Sequence, residues 1–318
     1  MVGLKIVVLG TGGTIAGTAP SESDTLAYAA AQIGVAQLVA AVPALAAAPV
    51  EVEQVLQLDS KDMDVGHWLS LAARCALHLE RDEVAGVVVT HGTDTLEETA
   101  YFLHEVLAPR KPLVLTCAMR PATAVQSDGP QNLLDAVAVA RSGRIGGVVA
   151  VCAGRVHGAV DVVKRHPYRL DAFGSGEGGP LAVVEEGRLR ILRALPPASP
   201  TRREPRLASL PPAHDWPWVE IVTSHACADA RLVDGLVRQG IGGLVVAGTG
   251  NGSVHHALEA ALLRAVEQGV AVRRATRCAE GVVLPHGGDV LADAQGLSPV
   301  KARIALMLDL MTGATKPP

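Results

Sequence analysis

The 318-residue sequence has few aromatic side chains and no excess of basic ones. Trp, Tyr and Phe supply 3% of the residues, whereas hydrophobic residues supply 49%. A core of this composition must be built from Ala, Val and Leu, which is typical of sheets covered by helices. The formal net charge of -4 leaves no basic stripe that could follow a phosphate backbone, so the sequence predicts no nucleic-acid partner.

Long hydrophobic runs are also lacking. The Ala-rich stretch from Leu38 to Ala48 contains Pro43 and falls far short of the roughly 20 apolar residues that span a bilayer. Residues 1–9 run directly into a glycine turn, without the basic region, long apolar region and cleavage site of a signal peptide. We interpret them as a first strand. The sequence therefore predicts a soluble, cytoplasmic protein with no membrane partner.

Several site signatures are missing. The sequence contains no C-x-x-C pair, no H-E-x-x-H and no G-x-S-x-G, which leaves no zinc, thiol-redox or serine-hydrolase signature. We expect no metal or organic cofactor. The five cysteines are odd in number and widely spaced, and we expect them to be small buried core residues: Cys75, Cys117, Cys152, Cys227 and Cys278.

Short apolar runs alternate with segments of helical period. The predicted strands are Lys5 to Leu9, Ala85 to Thr90, Leu113 to Cys117 and Gly147 to Cys152, and the predicted helical segments lie around 63–81, 95–107 and 132–141. Such alternation indicates an α/β fold with a mostly parallel sheet and crossover helices.

This pattern stops near residue 196, where a charged stretch rich in proline begins. After it, VEIVT, GLVVAG and VAVRRA again alternate with helical segments, and Ser298 and Pro299 suit the start of a last helix. The sequence predicts a larger N-terminal catalytic α/β domain at 1–195, a linker at 196–216 and a smaller C-terminal α/β domain at 217–318.

Ligands of open parallel sheets gather beyond the carboxyl ends of the strands. The first such loop, GTGGTIAG at 10–17, combines Gly10, Gly12 and Gly13 with the hydroxyls of Thr11 and Thr14. It lacks the third glycine of a dinucleotide loop, since that position is Ile15, and it lacks a phosphate-loop lysine. Two interpretations stay open: a catalytic hydroxyl, or a turn whose threonines bond only the local backbone.

The second loop, THGTDTLEE at 90–98, also supports two interpretations. Asp94 and Glu97 have the spacing of a capping box, in which Asp94 would only satisfy the first amides of a helix. Alternatively, Thr93 and Asp94 act beside the hydroxyl of the first loop. Their placement at a second strand end is consistent with catalysis.

Five motifs together resemble the bacterial-type asparaginases, and they follow that family's order over nearly the whole chain. They are TGGTIAG at 11–17, HGTDTLEETAYFL at 91–103, AMRP at 118–121, SDGPQNLLDAV at 127–137 and AGTGNG at 247–252. The resemblance implies an amidohydrolase that cleaves free L-asparagine to L-aspartate and ammonia, with a threonine nucleophile and no cofactor.

The resemblance also implies roles for individual residues. Thr14 matches the nucleophile and Tyr28 a tyrosine on a mobile lid, here the segment 16–31. Thr93, Asp94 and Lys164 match a Thr-Lys-Asp set. Burial favours a neutral lysine amine whereas a neighbouring carboxylate favours the charged form, so the charge state of Lys164 stays open.

The remaining implied residues concern the substrate and a partner chain. Ser60 matches a ligand of the substrate carboxylate, while Thr93 and Asp94 also bind the substrate. Asn251 resembles a residue that reaches the active site from a neighbouring subunit, which implies a homo-oligomer, a dimer or a dimer of dimers (a homotetramer). The family often places an acid in the segment that here reads CAEGVVLPHGG, where Glu280 is the candidate.

Selectivity between asparagine and glutamine stays open, because that segment borders the amino end of the substrate. The alternatives are a broader glutaminase-asparaginase and a non-catalytic protein that binds amino acids in a two-domain cleft.

Overall fold

The computed structural model describes residues 4–46, 48–194 and 207–313, and the chain divides into two compact units, Met1–Ser209 and Leu210–Pro318. The predicted α/β class, with a larger N-terminal and a smaller C-terminal sheet, is confirmed. Most of the predicted linker, 196–206, lies outside the described residues. Its remainder includes the short 3-10 helices Leu207–Ser209 and Ala213–Asp215. The boundaries 195/196 and 216/217 stay predictions.

The larger unit alternates strands with helices. Its described strands are β1 (Lys5–Gly12), β2 (Val50–Leu58), β3 (Val84–Thr90), β4 (Pro112–Thr116), β5 (Gly147–Cys152), β6 (Arg155–Gly158), β7 (Val163–Lys164), β8 (Phe173–Gly174), β9 (Ala182–Glu185) and β10 (Arg188–Ile191). Its described helices are α1 (Val35–Ala40), α2 (Pro43–Ala46), α3 (Val65–Leu79), α4 (Leu96–Leu107) and α5 (Gly129–Arg141).

The main sheet has eight strands in the order β10-β9-β6-β5-β4-β3-β1-β2. The five strands from β2 to β5 are parallel, and β6, β9 and β10 add an antiparallel edge. Ile6, Val8, Val88, Val114 and Val149 are all buried in one cluster, as expected for parallel strands covered on both faces. The carboxyl ends of β1 and β3 therefore meet at one edge of a rigid sheet.

A separate two-stranded hairpin, β7 and β8, pairs Lys164 with Phe173. The backbone of its connecting turn is closed by a hydrogen bond of 2.7 Å from the Arg165 amide to the Ala172 carbonyl. Lys164 thus lies at the base of this hairpin.

The smaller unit has a three-stranded parallel sheet in the order β11 (Val219–Thr223), β12 (Gly243–Gly248) and β13 (Ala271–Thr276). Its helices are α6 (Arg231–Arg238), α7 (His256–Glu267) and α8 (Pro299–Thr312). Ser298 occupies the N-cap of α8, as the sequence predicts, but its side chain makes no capping hydrogen bond.

The expectation that the cysteines are buried core residues holds for Cys75, Cys117 and Cys152 and is wrong for two others. Cys227 and Cys278 are exposed, because each lies in a loop that follows a strand of the smaller unit. As for membranes, none of the helices in the described part of the chain has both the length and the apolar character that crossing a bilayer requires.

Candidate active site

The first loop begins where β1 ends. Gly12 and Gly13 adopt φ values of 101° and 78°, a region that side chains other than glycine rarely adopt. A Cβ on Gly13 would lie 2.3 Å from the Cα of Gly92. The first and second loops are therefore in backbone contact at a point where only glycine fits, and the residues that follow, Thr14 and Thr93, lie on adjoining segments.

Thr14 begins the short 3-10 helix Thr14–Ala16 and is 6% exposed. Its Oγ1 lies 2.7 Å from the hydroxyl of Tyr28. Tyr28 comes from the predicted lid, whose two arms are joined by the backbone pairing of Thr18 with Ala29. Within this site, Thr14 has a hydroxyl partner that can exchange a proton with it.

The second loop connects β3 to α4. Thr95, not Asp94, occupies the N-cap position of α4, and it makes no side-chain capping bond. The capping-box interpretation of Asp94 is therefore wrong, because the helix starts one residue later than that spacing requires. The Thr95 hydroxyl instead donates to the Ser60 carbonyl at 2.7 Å.

Lys164 brings the second loop together with the hairpin. Its Nζ donates to Thr93 Oγ1 at 2.8 Å and to Asp94 Oδ1 at 2.6 Å. The Lys164 side chain is 16% exposed and that of Asp94 is 53% exposed. Thr93, which is 6% exposed, is thus the buried member of a Thr-Lys-Asp cluster whose carboxylate faces solvent.

Ser60 lies beside this loop with its hydroxyl uncommitted. The residue is 3% exposed, and its Oγ has no hydrogen-bond partner within the described residues. A Cβ on Gly92 would lie 2.4 Å from this oxygen. Burying an unpaired hydroxyl costs free energy, so Ser60 Oγ is suited to a ligand that completes its hydrogen bonding.

His91 fixes the peptide that precedes Thr93. Burial lowers its pKa to about 4, so the ring is neutral at pH 7. Trp68 Nε1 donates to Thr99 Oγ1, and the Thr99 hydroxyl in turn bonds His91 Nε2. On the other side of the imidazole, His91 Nδ1 donates to the Gly92 carbonyl at 2.7 Å. This chain of bonds assigns the imidazole proton to Nδ1 and orients the Gly92–Thr93 peptide.

Sequence reasoning assigned no role to two residues that hold the AMRP loop. The carboxylate of Asp128 accepts from the amides of Met119 and Arg120 at 2.9–3.1 Å. Asn132 donates to the Cys117 carbonyl and accepts from the Ala153 amide, both at 2.9 Å. The sequence did contain a signal for the roles of Asp128 and Asn132. An acid and an amide lie four residues apart at the start of a helix, where their polar side chains face the end of a buried strand.

Asn251 lies in the smaller unit, and its amide is engaged within its own chain. Its Nδ2 donates to the Leu284 carbonyl at 2.9 Å, and its Oδ1 accepts from the Leu284 amide at 2.7 Å. A carboxamide can form four hydrogen bonds, so half of its capacity is used. Glu280 is exposed in the loop after β13.

The structure thus brings six of the seven predicted site residues to one end of the larger unit, in two hydrogen-bonded clusters beside Ser60. One cluster joins Thr14 with Tyr28, and the other joins Thr93 and Asp94 with Lys164. Asn251 belongs to the smaller unit. The described residues contain no group of three or more His, Cys, Asp or Glu side chains arranged for a metal ion.

Comparison with known proteins gives matches over both units. The family model described as Asparaginase, N-terminal, matches residues 5–197, and the Glutaminase/Asparaginase C-terminal domain matches residues 218–317. Among solved structures, a probable cytoplasmic L-asparaginase from Campylobacter jejuni superimposes with a TM-score of 0.90 at 36% identity, covering 96% of this chain and 95% of that one.

Three curated relatives span nearly the whole chain. L-asparaginase 2 of Bacillus subtilis is 38% identical over 96% of this chain and 82% of that protein. A glutaminase-asparaginase of Pseudomonas fluorescens is 37% identical over 96% and 86% of the two chains. A probable periplasmic L-asparaginase of Haemophilus influenzae is 37% identical over 96% and 88%.

Proposed function

The chain belongs to the bacterial-type asparaginase family of amidohydrolases, and from that premise we propose that it hydrolyses free L-asparagine to L-aspartate and ammonia through an acyl-enzyme on Thr14. The observation that carries the proposal is the backbone contact of Gly13 with Gly92. It brings together the loops that carry Thr14 and Thr93, and each of these hydroxyls has its own hydrogen-bond partner, Tyr28 and Lys164 respectively. Membership of an enzyme family overturns the alternative of a non-catalytic binding protein.

Acylation needs a base for the hydroxyl and donors for the amide oxygen, because a neutral threonine is a poor nucleophile and an amide a poor electrophile. Thr14 Oγ1 attacks the side-chain amide carbon while its proton passes through the Tyr28 hydroxyl, 2.7 Å away, to the amide nitrogen. The C–N bond breaks and ammonia leaves. The backbone amides of the Gly13 turn and of Thr93, whose peptide is fixed by His91, stabilise the oxyanion.

Deacylation uses the second cluster. Water attacks the ester carbon, and its proton passes to Thr93 and Lys164, which are 2.8 Å apart. The ester bond breaks, Thr14 regains its proton, and aspartate leaves. The relay follows the hydrogen bonds that Lys164 Nζ makes to Thr93 Oγ1 and, at 2.6 Å, to Asp94 Oδ1.

The substrate's charged groups are bound by the same surroundings. The Ser60 hydroxyl, buried and unpaired among the described residues, binds the α-carboxylate. The Asp94 carboxylate binds the α-ammonium, as a charge-assisted hydrogen bond favours. A peptide lacks these two free charges, so the free amino acid is the natural substrate.

The broader glutaminase-asparaginase is the second candidate, favoured by the Pseudomonas fluorescens relative of that name. Ammonia release measured over L-asparagine, L-glutamine and their D forms separates the two candidates. Comparable kcat/KM on both L-amides would refute the narrow activity.

Thr14→Ala tests the nucleophile. We expect it to abolish turnover while aspartate still binds, because only the hydroxyl and one methyl group are lost. The matched control, Thr14→Ser, keeps a hydroxyl and should retain measurable activity. Rapid acid quench followed by peptide mass analysis should find the acyl group on Thr14. Turnover by Thr14→Ala, or an acyl group on Thr93, would refute the assignment.

We also propose a cytoplasmic homo-oligomer, a dimer or a dimer of dimers, in which Asn251 completes a neighbour's active site. The likeness to the probable cytoplasmic L-asparaginase of Campylobacter jejuni supports the compartment, and the remaining hydrogen-bonding capacity of the Asn251 amide supports the shared site. Closed two-fold assemblies are common and create equivalent sites. Fractionation of cells tests the compartment, and recovery in the periplasm would refute it.

Complementation tests the shared site. Thr14→Ala chains, inactive alone, and Asn251→Ala chains, weakly active alone, should regain activity when unfolded together and refolded as a mixture. In a mixed pair, half of the sites would combine an intact Thr14 with an intact Asn251. A mixture no better than the average of its parents would show that each chain builds its own site.

A further inference from the structure

The turn between β7 and β8 carries Tyr168, which meets the lid. The Tyr168 hydroxyl lies 3.0 Å from Oγ1 of Thr25, a residue of the lid segment 16–31. This contact joins residues separated by 143 positions, so it does not arise from local turn geometry. We propose that Tyr168 is a positioning residue that latches the lid over the active site through Thr25.

Arg120 holds the Tyr168 ring in the orientation that this contact requires. The Arg120 guanidinium carbon lies 4.0 Å from the ring centroid, and its Nη1 donates to the Tyr168 carbonyl at 2.8 Å. The backbone of Arg120 is itself tied to Asp128. Because a stacked cation and a backbone hydrogen bond act on the same residue, the phenol is presented to the lid on a supported turn.

The lid has further anchors along the segment that follows the AMRP motif. The Ala122 amide donates to the Gly17 carbonyl at 2.9 Å, the Val125 amide to the Glu22 carbonyl at 3.2 Å, and the Ala19 amide to Thr123 Oγ1 at 2.9 Å. These bonds hold one side of the lid. The Thr25–Tyr168 contact holds the side that leads to Tyr28, only three residues further on.

The latch links the two catalytic clusters. Tyr168 lies in the turn of the hairpin whose base carries Lys164, and Thr25 lies in the lid that carries Tyr28. When Tyr168 latches the lid, Tyr28 lies against Thr14. The lid is then anchored to the hairpin that carries Lys164. This inference rests on the proposed function, because lid closure over the site serves catalysis. The Thr25–Tyr168 contact itself can be tested without measuring turnover.

Tyr168→Phe removes only the hydroxyl and keeps the ring for Arg120, and Thr25→Val removes the partner hydroxyl at nearly constant volume. Since a hydrogen bond of this kind contributes modestly in water, each variant should lower kcat/KM about two- to tenfold. We expect the loss mainly in KM, with kcat within about twofold, because saturating substrate restores the closed lid in which Tyr28 lies against Thr14. A structural disturbance at Lys164 would lower kcat instead and would overturn the proposal.

Limited proteolysis reads the lid directly. A glutamate-specific protease cleaves after Glu22, which is exposed and whose carbonyl anchors the lid. With saturating aspartate, Tyr168→Phe and Thr25→Val should each be cleaved about two- to tenfold faster than the unmodified protein. The double variant should be no faster than either single one, because one bond is lost in all three.

Ser23→Ala is the matched control, since within the described parts of the chain the Ser23 hydroxyl bonds only the Ser21 hydroxyl. It should be cleaved at the unmodified rate. Three outcomes would each overturn the latch. They are equal cleavage rates for Tyr168→Phe and the unmodified protein, a cleavage rate in the double variant that multiplies the two single effects, and an acceleration by Ser23→Ala equal to that of Tyr168→Phe. Activity in Thr14→Ala would refute the proposed function, whereas the cleavage rates would still decide the latch.

Discussion

Ser60→Ala should raise stability and weaken substrate binding, two effects of opposite sign from one hydroxyl. Ser60 is 3% exposed, and among the described residues its Oγ has no partner. A buried hydroxyl without a hydrogen bond costs about 1–3 kcal/mol, so its removal should raise the free energy of unfolding by about that amount. For a unit of this size, the midpoint of thermal unfolding should rise by about 2–4 °C per kcal/mol.

The same substitution should raise KM for asparagine. A hydrogen bond to a charged group contributes about 1.5–3 kcal/mol, which corresponds to a loss of roughly 10- to 150-fold in affinity. Steady-state ammonia release gives KM, and the thermal shift produced by aspartate gives affinity without turnover. We expect kcat to change little, because the Ser60 hydroxyl makes no hydrogen bond to either threonine cluster among the described residues.

Ser175→Ala is the matched control for stability. Ser175 is 6% exposed, but its hydroxyl lies 2.7 Å from Nδ1 of His157. Removal of this hydroxyl therefore leaves the buried His157 Nδ1 without this hydrogen bond. This variant should lower the unfolding midpoint where Ser60→Ala raises it. A Ser60→Ala protein that is destabilised, or that keeps an unchanged KM, would refute the argument that this hydroxyl awaits a ligand.

Three further outcomes are expected. Thr93→Val and Lys164→Met should each lower kcat by several orders of magnitude. The double variant should be little worse than either, because the effects of residues that act as a unit are non-additive. A kcat in the double variant that is lowered by the product of the two single effects would argue against the relay. Burial lowers the pKa of His91 and of His157 to about 4, so the unfolded state binds more protons below about pH 6.5 and stability falls on acidification. From pH 7 to 4.5 each should cost about 2 kcal/mol in chemical denaturation, and an undiminished pH slope in His157→Gln would contradict this. The contact with Cys152 and burial raise the pKa of the Cys117 thiol. An aromatic disulfide reagent should therefore label only Cys227 and Cys278 in the native protein, and five thiols after unfolding. Rapid labelling of Cys117 in the native protein would show that the region around this buried thiol opens to solvent.

Element types along the larger unit could be predicted because apolar periodicity is a local property. The strands ending at Thr90 and Cys152, and the helix ending at Leu107, coincide with the predicted runs. Strand β2, by contrast, was not predicted. Its sequence VEVEQVLQL is only partly buried, and at the edge of a sheet its charges pair with helix side chains such as Arg74 and His78, so it lacks the apolar signal of a central strand.

The residues of the two hydrogen-bonded clusters were also predicted, but their spacing along the chain did not predict how they group. Glycines after two strands indicated two loops at one sheet edge, and family resemblance supplied Tyr28 and Lys164. That Asp94 bonds Lys164 and does not cap α4 depends on where the helix begins, which tertiary contacts set through the Thr95 bond to Ser60. Local sequence allows both outcomes.

Side-chain type and local period were sufficient to establish the α/β class, the positions of the loops and the chemical groups available. Three features depend instead on the folded chain: Ser60 Oγ is left unpaired among the described residues, Gly13 lies against Gly92, and Tyr168 meets Thr25 across 143 residues. Each of these features involves segments that are distant in sequence. Their existence depends on sheet order and burial, which no stretch of the chain specifies alone.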